Sequence, residues 1–470
     1  MGSFPVLQIR ADKLEAQGSF AKAQSEFLSP DPQTIAELDA FLQTHSIGVV
    51  AHFYMDAELQ GVLSACTHEH IYIADSLLMA DHAVKMAEKG VKTIVVLGVD
   101  FMSENVRAVL DSAGYSHIPV YRVAENEIGC SLAEAAESDT YLAWLKKASQ
   151  TPKSLHVVYI NTSLETKAVA HNIIPTVTCT SSNVVQTILQ AFAEIPELTV
   201  WYGPDTYMGA NLAEMFRMFS ELSDQEIGNL HPKHNRETIQ ALRSRFHYFQ
   251  QGNCIVHHMF GEKVVAQVRK DYGDAYHSAH LEVPGEMFAL AMEAQQNGKG
   301  VIGSTSNILS FILDKVDQAV QKDEKETISV VLGTEAGMVT AIVRKVQEKL
   351  QASARDDIGV DIIFPVASEA VAQDEDLGII PGVQGGEGCS TAGGCATCPF
   401  MKMNSLDALF NICEEIGKGK RDLKVFEPEK YSRLIDGKTV AKIGGEPILF
   451  MRHFQKLGVH SPELINQVKK

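Results

Sequence analysis

The chain has 470 residues, a formal charge of −18, 45% hydrophobic residues and 21% charged residues. That length suits two to four domains with real cores. The acidity argues against nucleic acid or an anionic membrane surface as a partner, and no apolar run reaches the length that spans a bilayer.

Residues 1–40 read as an N-terminal helical extension. The stretch 10–27 is polar and Ala-rich, and Asp31 suits the N-cap of a second helix. From there, short β-branched runs alternate with longer amphipathic stretches. In a first domain, 41–150, strands are expected at 48–54 (GVVAHFY), 93–99 (TIVVLGV) and 118–123 (IPVYRV). A second, 151–258, carries 156–160, 176–178, 198–202 and 254–257 (CIVH). A third, 259–410, carries 279–283, 301–303, 328–332 and 360–364. Strand, turn, helix in succession predicts an α/β fold: three similar three-layer α/β/α domains with parallel sheets. The blocks share layout and no obvious residue identities. Residues 214–251 read as a charged helical insertion, and 351–385 as a surface loop rich in Asp, Glu, Gly and Pro. The C-terminal extension, 411–470, mixes helices with a short strand at 438–443 and packs back on the core.

Ligands of parallel α/β sheets bind beyond the carboxyl ends of the strands. Those ends here carry His52 and Tyr54, Asp75-Ser76, Asn161-Thr162-Ser163, Thr180-Ser181-Ser182-Asn183 and Ser304-Thr305-Ser306. Each hydroxyl taken singly is an ordinary N-cap. Four hydroxyl-bearing tips ahead of helices, with His and Tyr among them, suit a substrate with several anionic groups. His280 and Glu282 alternate along a predicted strand and so share a face, as a general acid/base pair would. Tyr54 and Tyr159 sit at strand tips, where a phenol can exchange a proton.

There are eight cysteines. Residues 1–10 show neither a signal-peptide nor a transit-peptide pattern, so the chain as given is expected to start in a reducing compartment, without a disulfide framework. Cys66, Cys179 and Cys413 occupy apolar or helical settings and read as structural. Cys130, Cys254 and Cys398 each close one block in a glycine-flanked segment. If the blocks pack around a pseudo-threefold axis, the three thiolates converge. Three thiolates suit a [4Fe–4S] cluster with one iron left for substrate as a Lewis acid. The Cys395-x-x-Cys398 pair is also compatible with a zinc half-site or a redox dithiol. No second pair exists, so Cys398 is taken as ligand and Cys395 as accessory, with a reversible Cys395–Cys398 disulfide as a hypothesis. His257 follows Cys254 by three residues and belongs near the same centre.

Taken together, AHFYMDAELQ (51–60), ADSLLMA (74–80), GVDFMSE (98–104), GCSLAEA (129–135), YINTSLETKA (159–168), CTSSN (179–183), GPDTYMG (203–209), CIVH (254–257), GSTS (303–306), GTEAGM (333–338) and CPFMKMN (398–404) resemble the quinolinate synthase family. The resemblance runs through most of 48–410 and into the tail. It implies a [4Fe–4S] cluster on Cys130, Cys254 and Cys398, three α/β/α domains around a pseudo-threefold axis, and a site between them. It implies condensation of iminoaspartate with dihydroxyacetone phosphate to quinolinate, phosphate and water in NAD biosynthesis. By position it assigns Tyr54, Tyr159, His257, His280 and Glu282 to catalysis, and His52, Ser76, Asn161, Ser181, Ser304 and Thr305 to substrate binding. Glu282 and Tyr54 would move protons, with His280 orienting Glu282.

Shorter members often have Pro between the His and the Glu, where this chain has Leu281. The insertions resemble the longer plastid form, here without its fused sulfur-transfer domain. Location is therefore expected to be cytoplasmic, or plastid stroma for a trimmed plastid form. Expected partners are an iminoaspartate-supplying aspartate oxidase, iron–sulfur assembly machinery and a second copy in a homodimer. Another cluster-dependent hydro-lyase and a non-catalytic iron–sulfur carrier are the rival readings.

Overall fold

The computed structural model describes residues 4–26, 28–254, 256–257, 260–322, 324–366, 389–390, 394–395, 397–419 and 423–470. The chain opens with two short strands, β1 (Val6–Ile9) and β2 (Leu14–Gln17), where a helical extension is expected from the sequence. The polar, Ala-rich stretch becomes a helix only at Ser19–Glu26. Asp31 caps the next helix, Pro32–His45, accepting the Thr34 N–H.

Three sheets follow. The first contains β3 (Ile47–His52), β4 (Ile71–Ala74), β5 (Thr93–Leu97) and β6 (Val120–Arg122) in the order β4-β3-β5-β6. The second contains β7 (Ser154–Tyr159), β8 (Thr176–Cys179), β9 (Thr199–Gly203) and β10 (Phe246–Tyr248) in the order β10-β9-β7-β8. The third contains β11 (Tyr276–His280), β12 (Gly300–Gly303), β13 (Glu326–Gly333) and β14 (Ile358–Ile363), ordered β12-β11-β13-β14, and continues antiparallel through β1 and β2. Read from one edge, each four-strand set has the order second, first, third, fourth, and all its pairings are parallel. The chain is therefore three repeats of one doubly wound α/β unit.

The strands are short β-branched runs because helices cover both faces of each sheet. Every residue of β3, β5, β7, β8 and β9 is buried. In such an order the chain reverses direction between the first and third strands, and their carboxyl ends open a crevice there.

Further sequence expectations fail. Cys254, Val256 and His257 form no strand; the edge of the second sheet is β10, inside the stretch read as a helical insertion. The rest of that stretch is helical: the end of Thr206–Phe219, then Asp224–Leu230 and Arg236–Arg243. The third sheet's first strand stops at His280, so Glu282 lies past its end. In the tail the expected strand is cut to Lys438–Thr439, which pairs antiparallel with Leu434–Ile435, and helix Val440–Leu457 begins at once, packing on helix Leu164–Ile173. Within the 351–385 stretch, 351–353 finish a helix and 358–363 form β14, while 367–388 lie outside the described residues. No helix among the described residues is long and apolar enough to cross a membrane.

Candidate active site

The first strand of each unit ends in a pair of functional side chains two residues apart: His52 and Tyr54 after β3, Tyr159 and Asn161 after β7, His280 and Glu282 after β11. Each second strand ends in hydroxyls ahead of a helix: Ser76, then Thr180-Ser181-Ser182, then Ser304-Thr305. One cavity collects them. It is lined by His52, Tyr54, Ser76, Tyr159, Asn161, Ser181, His257, His280, Glu282 and Thr305, and by Cys130, Cys254 and Cys398. Ser304 is the one expected residue that does not line it. Its Oγ is engaged in a capping box, donating to Asn307 Oδ1 at 2.7 Å and accepting from the Asn307 N–H. The cavity wall also holds Val99, Phe101, Met102, Leu132 and Met401, apolar residues that the sequence reading missed because their motifs carry no reactive group.

Each tip is held from behind by one side chain that bridges the two carbonyls flanking the functional residue. Gln60 Nε2 donates to Phe53 O at 2.9 Å and Met55 O at 2.7 Å, around Tyr54. Lys167 Nζ donates to Ile160 O and Thr162 O, around Asn161. Asn211 Nδ2 donates to Leu281 O at 2.9 Å and Val283 O at 2.8 Å, around Glu282. Leu281, in the place of a proline, thus contributes a fixed carbonyl.

Glu282 is the electrostatic centre. It accepts the Tyr159 O–H, and its carboxylate lies 3.2 Å from His257 Nδ1 and 3.6 Å from His280 Nδ1. The His257 and His280 rings stack, with centroids 4.9 Å apart. Burial opposes the Glu282 charge, yet His280, His257 and the Tyr159 hydroxyl hold the group below the usual carboxylate range. Burial pulls His52 down to about 3 and His280 down to about 4, so both are neutral at physiological pH. His52 Nδ1 accepts the Tyr54 N–H at 3.2 Å, which leaves its proton on Nε2. Burial also pushes the Tyr54 and Tyr159 phenols up, so both keep their protons. Among the described residues that line the cavity there is no Lys or Arg. An anionic ligand would instead meet neutral N–H and O–H donors and the starts of helices Ser76–Glu88 and Thr305–Val320.

The three thiols share one local setting. The backbone N–H groups of Leu132 and Ala133 act on Cys130, that of His257 on Cys254, and those of Phe400 and Met401 on Cys398, each in the direction that favours the thiolate. Burial nevertheless pushes Cys130 up to about 11, and raises Cys254 and Cys398 further. Cys130 and Cys398 also act on Cys254 through space. Three thiols at one cavity, each with backbone N–H groups that favour its ionised form, become thiolates once a cation shares their charge. Cys254, His257 and Glu282 also offer ligand atoms within 4.8 Å of one another. Cys179 and Cys413 are buried away from the cavity, and Cys66 is part-buried. The Cys395 side chain, and with it a Cys395–Cys398 disulfide, falls outside the described residues.

Three parallel α/β units, each delivering one thiol and one pair of polar side chains to a shared cavity, define an α/β protein with three thiols beside a buried carboxylate. The family model for quinolinate synthetase A protein matches residues 36–431. Chloroplastic quinolinate synthase of Nicotiana tabacum is 54% identical over 480 residues, covering 99% of this chain and 67% of that protein. The Arabidopsis thaliana chloroplastic protein is 52% identical over 99% of this chain and 67% of its own length. Quinolinate synthase of Thermosynechococcus vestitus is 25% identical over 77% of this chain and 81% of its own. The chain belongs to the quinolinate synthase family and is an enzyme of that family; it spans about two thirds of the length of the plant relatives it matches.

Proposed function

We propose that the chain condenses iminoaspartate with dihydroxyacetone phosphate, giving quinolinate, inorganic phosphate and two waters, and that Cys130, Cys254 and Cys398 hold a [4Fe–4S] cluster. The observation that carries this reading is the arrival of one thiol from each unit at the cavity that also holds Glu282. A cluster bound by three thiolates supplies a Lewis-acidic iron.

The protein's own groups account for the remaining needs of such a reaction. Two carboxylates and a phosphate would be held by His52, Ser76, Asn161, Ser181 and Thr305, with Ser304 contributing through the cap of its helix. Ionised Glu282 is placed to take a proton and pass it on through Tyr159 or His257, while His280 fixes its orientation. Tyr54, still protonated, is placed to donate. Charge neutralisation without Lys or Arg favours a ligand that enters, reacts and leaves over one clamped by ion pairs.

The sheets support domains at 41–150, 151–258 and 259–410 about a pseudo-threefold axis, with β1 and β2 joined to the third domain. The names of the plant relatives support a plastid location. An aspartate oxidase as iminoaspartate source, assembly machinery for the cluster, and a homodimer complete the reading.

Anaerobic purification with iron and sulfide analysis tests it, alongside quinolinate formation from aspartate, an aspartate oxidase and dihydroxyacetone phosphate. Cys130→Ser, Cys254→Ser and Cys398→Ser should each lose the cluster, and Cys179→Ser should keep it. Wild-type protein that binds iron but forms no quinolinate would favour the carrier reading.

A further inference from the structure

The third strand of each sheet ends in glycine, any residue, then an acid: Gly98-Val99-Asp100 after β5, Gly203-Pro204-Asp205 after β9, Gly333-Thr334-Glu335 after β13. In all three units this segment touches the backbone that leads into the cysteine. The Asp100 N–H donates to Ile128 O at 3.0 Å, and the Ile128 N–H donates to Asp100 Oδ2 at 3.1 Å. The Thr206 N–H donates to Gly252 O at 2.7 Å, and the Gly252 N–H donates to Thr206 Oγ1 at 3.0 Å. Ile128 and Gly252 each lie two residues before their cysteine. The two grips are the same two-way pair, formed one position later in the second unit because Asp205 caps helix Thr206–Phe219 through Met208 N. In the third unit Glu335 Oε1 accepts the Cys398 N–H itself at 3.0 Å, while Oε2 accepts the Gly337 N–H at 2.7 Å. The contacts are close: a Cβ at Gly252 would lie 2.3 Å from Pro204 O.

We propose that Asp100, Thr206 and Glu335 are positioning residues that fix the three cysteine loops in their ligating geometry before any metal arrives. None of the three side chains lines the cavity, so each acts through the backbone of a ligand and not on substrate. A loop whose amide is bonded to the rigid end of a central strand cannot drift without breaking that bond, and metal retention depends on such outer contacts by roughly 10- to 100-fold. The inference rests on the cluster reading above.

The test uses the full chain with Asp100→Ala, Thr206→Val and Glu335→Ala, each beside its conservative counterpart Asp100→Asn, Thr206→Ser and Glu335→Gln. In metal-free protein, amide exchange should rise at 128, 252 or 398 in the matching variant only. In reconstituted protein, chelator should strip iron roughly ten times faster, or more, than from wild type. The conservative variants should recover most of both effects at an unchanged melting temperature. Stripping rates equal to wild type, or losses that merely follow a lowered melting temperature and are not rescued, overturn the proposal. Wild-type protein that takes up no iron overturns this proposal together with the cluster reading; wild-type uptake with indifferent variants overturns this proposal alone.

Discussion

Lys167→Met is the most demanding test of how the Asn161 tip is built. Lys167 is fully buried, and its Nζ satisfies the Ile160 and Thr162 carbonyls. Glu104, also buried, accepts the Leu164 N–H and the Tyr431 O–H, both at 2.8 Å. Burial pulls the lysine down and pushes the carboxyl up, and each group partly restores the other's charge. Methionine fills most of the volume but leaves the Thr162 carbonyl without that donor, the Ile160 carbonyl with the Thr162 N–H alone, and a buried carboxylate without its counter-charge. Breaking a buried pair from one side costs about 3–5 kcal/mol, and an orphaned buried acceptor about 1–3 kcal/mol. We therefore expect about 4 kcal/mol off the first unfolding transition in denaturant, followed by tryptophan fluorescence. Adding Glu104→Gln removes the stranded charge while keeping an acceptor for Leu164, so the double variant should recover about half of that loss. The freed tip should also weaken substrate binding, raising KM more than it lowers kcat. A single-variant cost under about 1 kcal/mol, or strict additivity in the double variant, would refute the reasoning.

Other outcomes follow from the same geometry. Glu282→Gln should cut turnover by roughly 10²–10⁴-fold, whereas Tyr159→Phe, which removes one hydrogen bond to a charged group, should cost about 10- to 100-fold; equal, small effects in a quinolinate assay would remove Glu282 as the proton carrier. His156 is held neutral by burial down to about 3, with its ring bonded to Tyr141 and Thr176. Unfolded protein binds that proton below about 6.5, so the contribution is whole above that pH and declines as pH falls toward 3, by ~1.4 kcal/mol per unit. His156→Gln should remove about one proton from the slope of stability against pH over that window. Gly333→Ala places a Cβ 2.1 Å from Ser278 O; both atoms belong to central-strand backbone that cannot yield, so the variant should melt far below wild type or fail to fold, as a thermal scan would show.

Strands β3, β5, β7 and β13 were legible because a parallel strand covered on both faces reads as a near-continuous apolar, β-branched run: all of β3, β5 and β7 and the last four residues of β13 are buried. The failures have the opposite cause. Leu14–Gln17 is half exposed and lacks strong β propensity; it is a strand only because β14 offers β1 an edge, and β1 offers β2 the next one. The CIVH run has strand-like composition, but Cys254 has to leave the sheet to reach the shared cavity, and Phe246–Tyr248 takes the edge beside β9 instead. Lys438–Ile443 was misread for the reverse reason: its two extended residues are a β-turn arm, and the apolar spacing that follows belongs to a helix lying on Leu164–Ile173.

The site was more legible than its scaffold. Of the fourteen site residues named from the sequence, all but Ser304 line one cavity, since reactive side chains at strand tips and glycine-flanked cysteines stand out singly. The threefold layout was legible as well; what stayed hidden was how it is held. The repetition rests on a few atoms per unit: a side chain that bridges two carbonyls, and an acceptor that meets an amide at or just ahead of a cysteine. Gln60, Lys167 and Asn211 perform one task with three chemistries, and Asp100, Thr206 and Glu335 perform another with three more. Comparing residue identities between the blocks finds little beyond the Gly-x-acid end of each third strand, because the constraint is on where a donor or acceptor atom sits. The units are alike in hydrogen bonding and strand order, which only the folded chain displays, and that likeness is what brings a thiol from each to the same place.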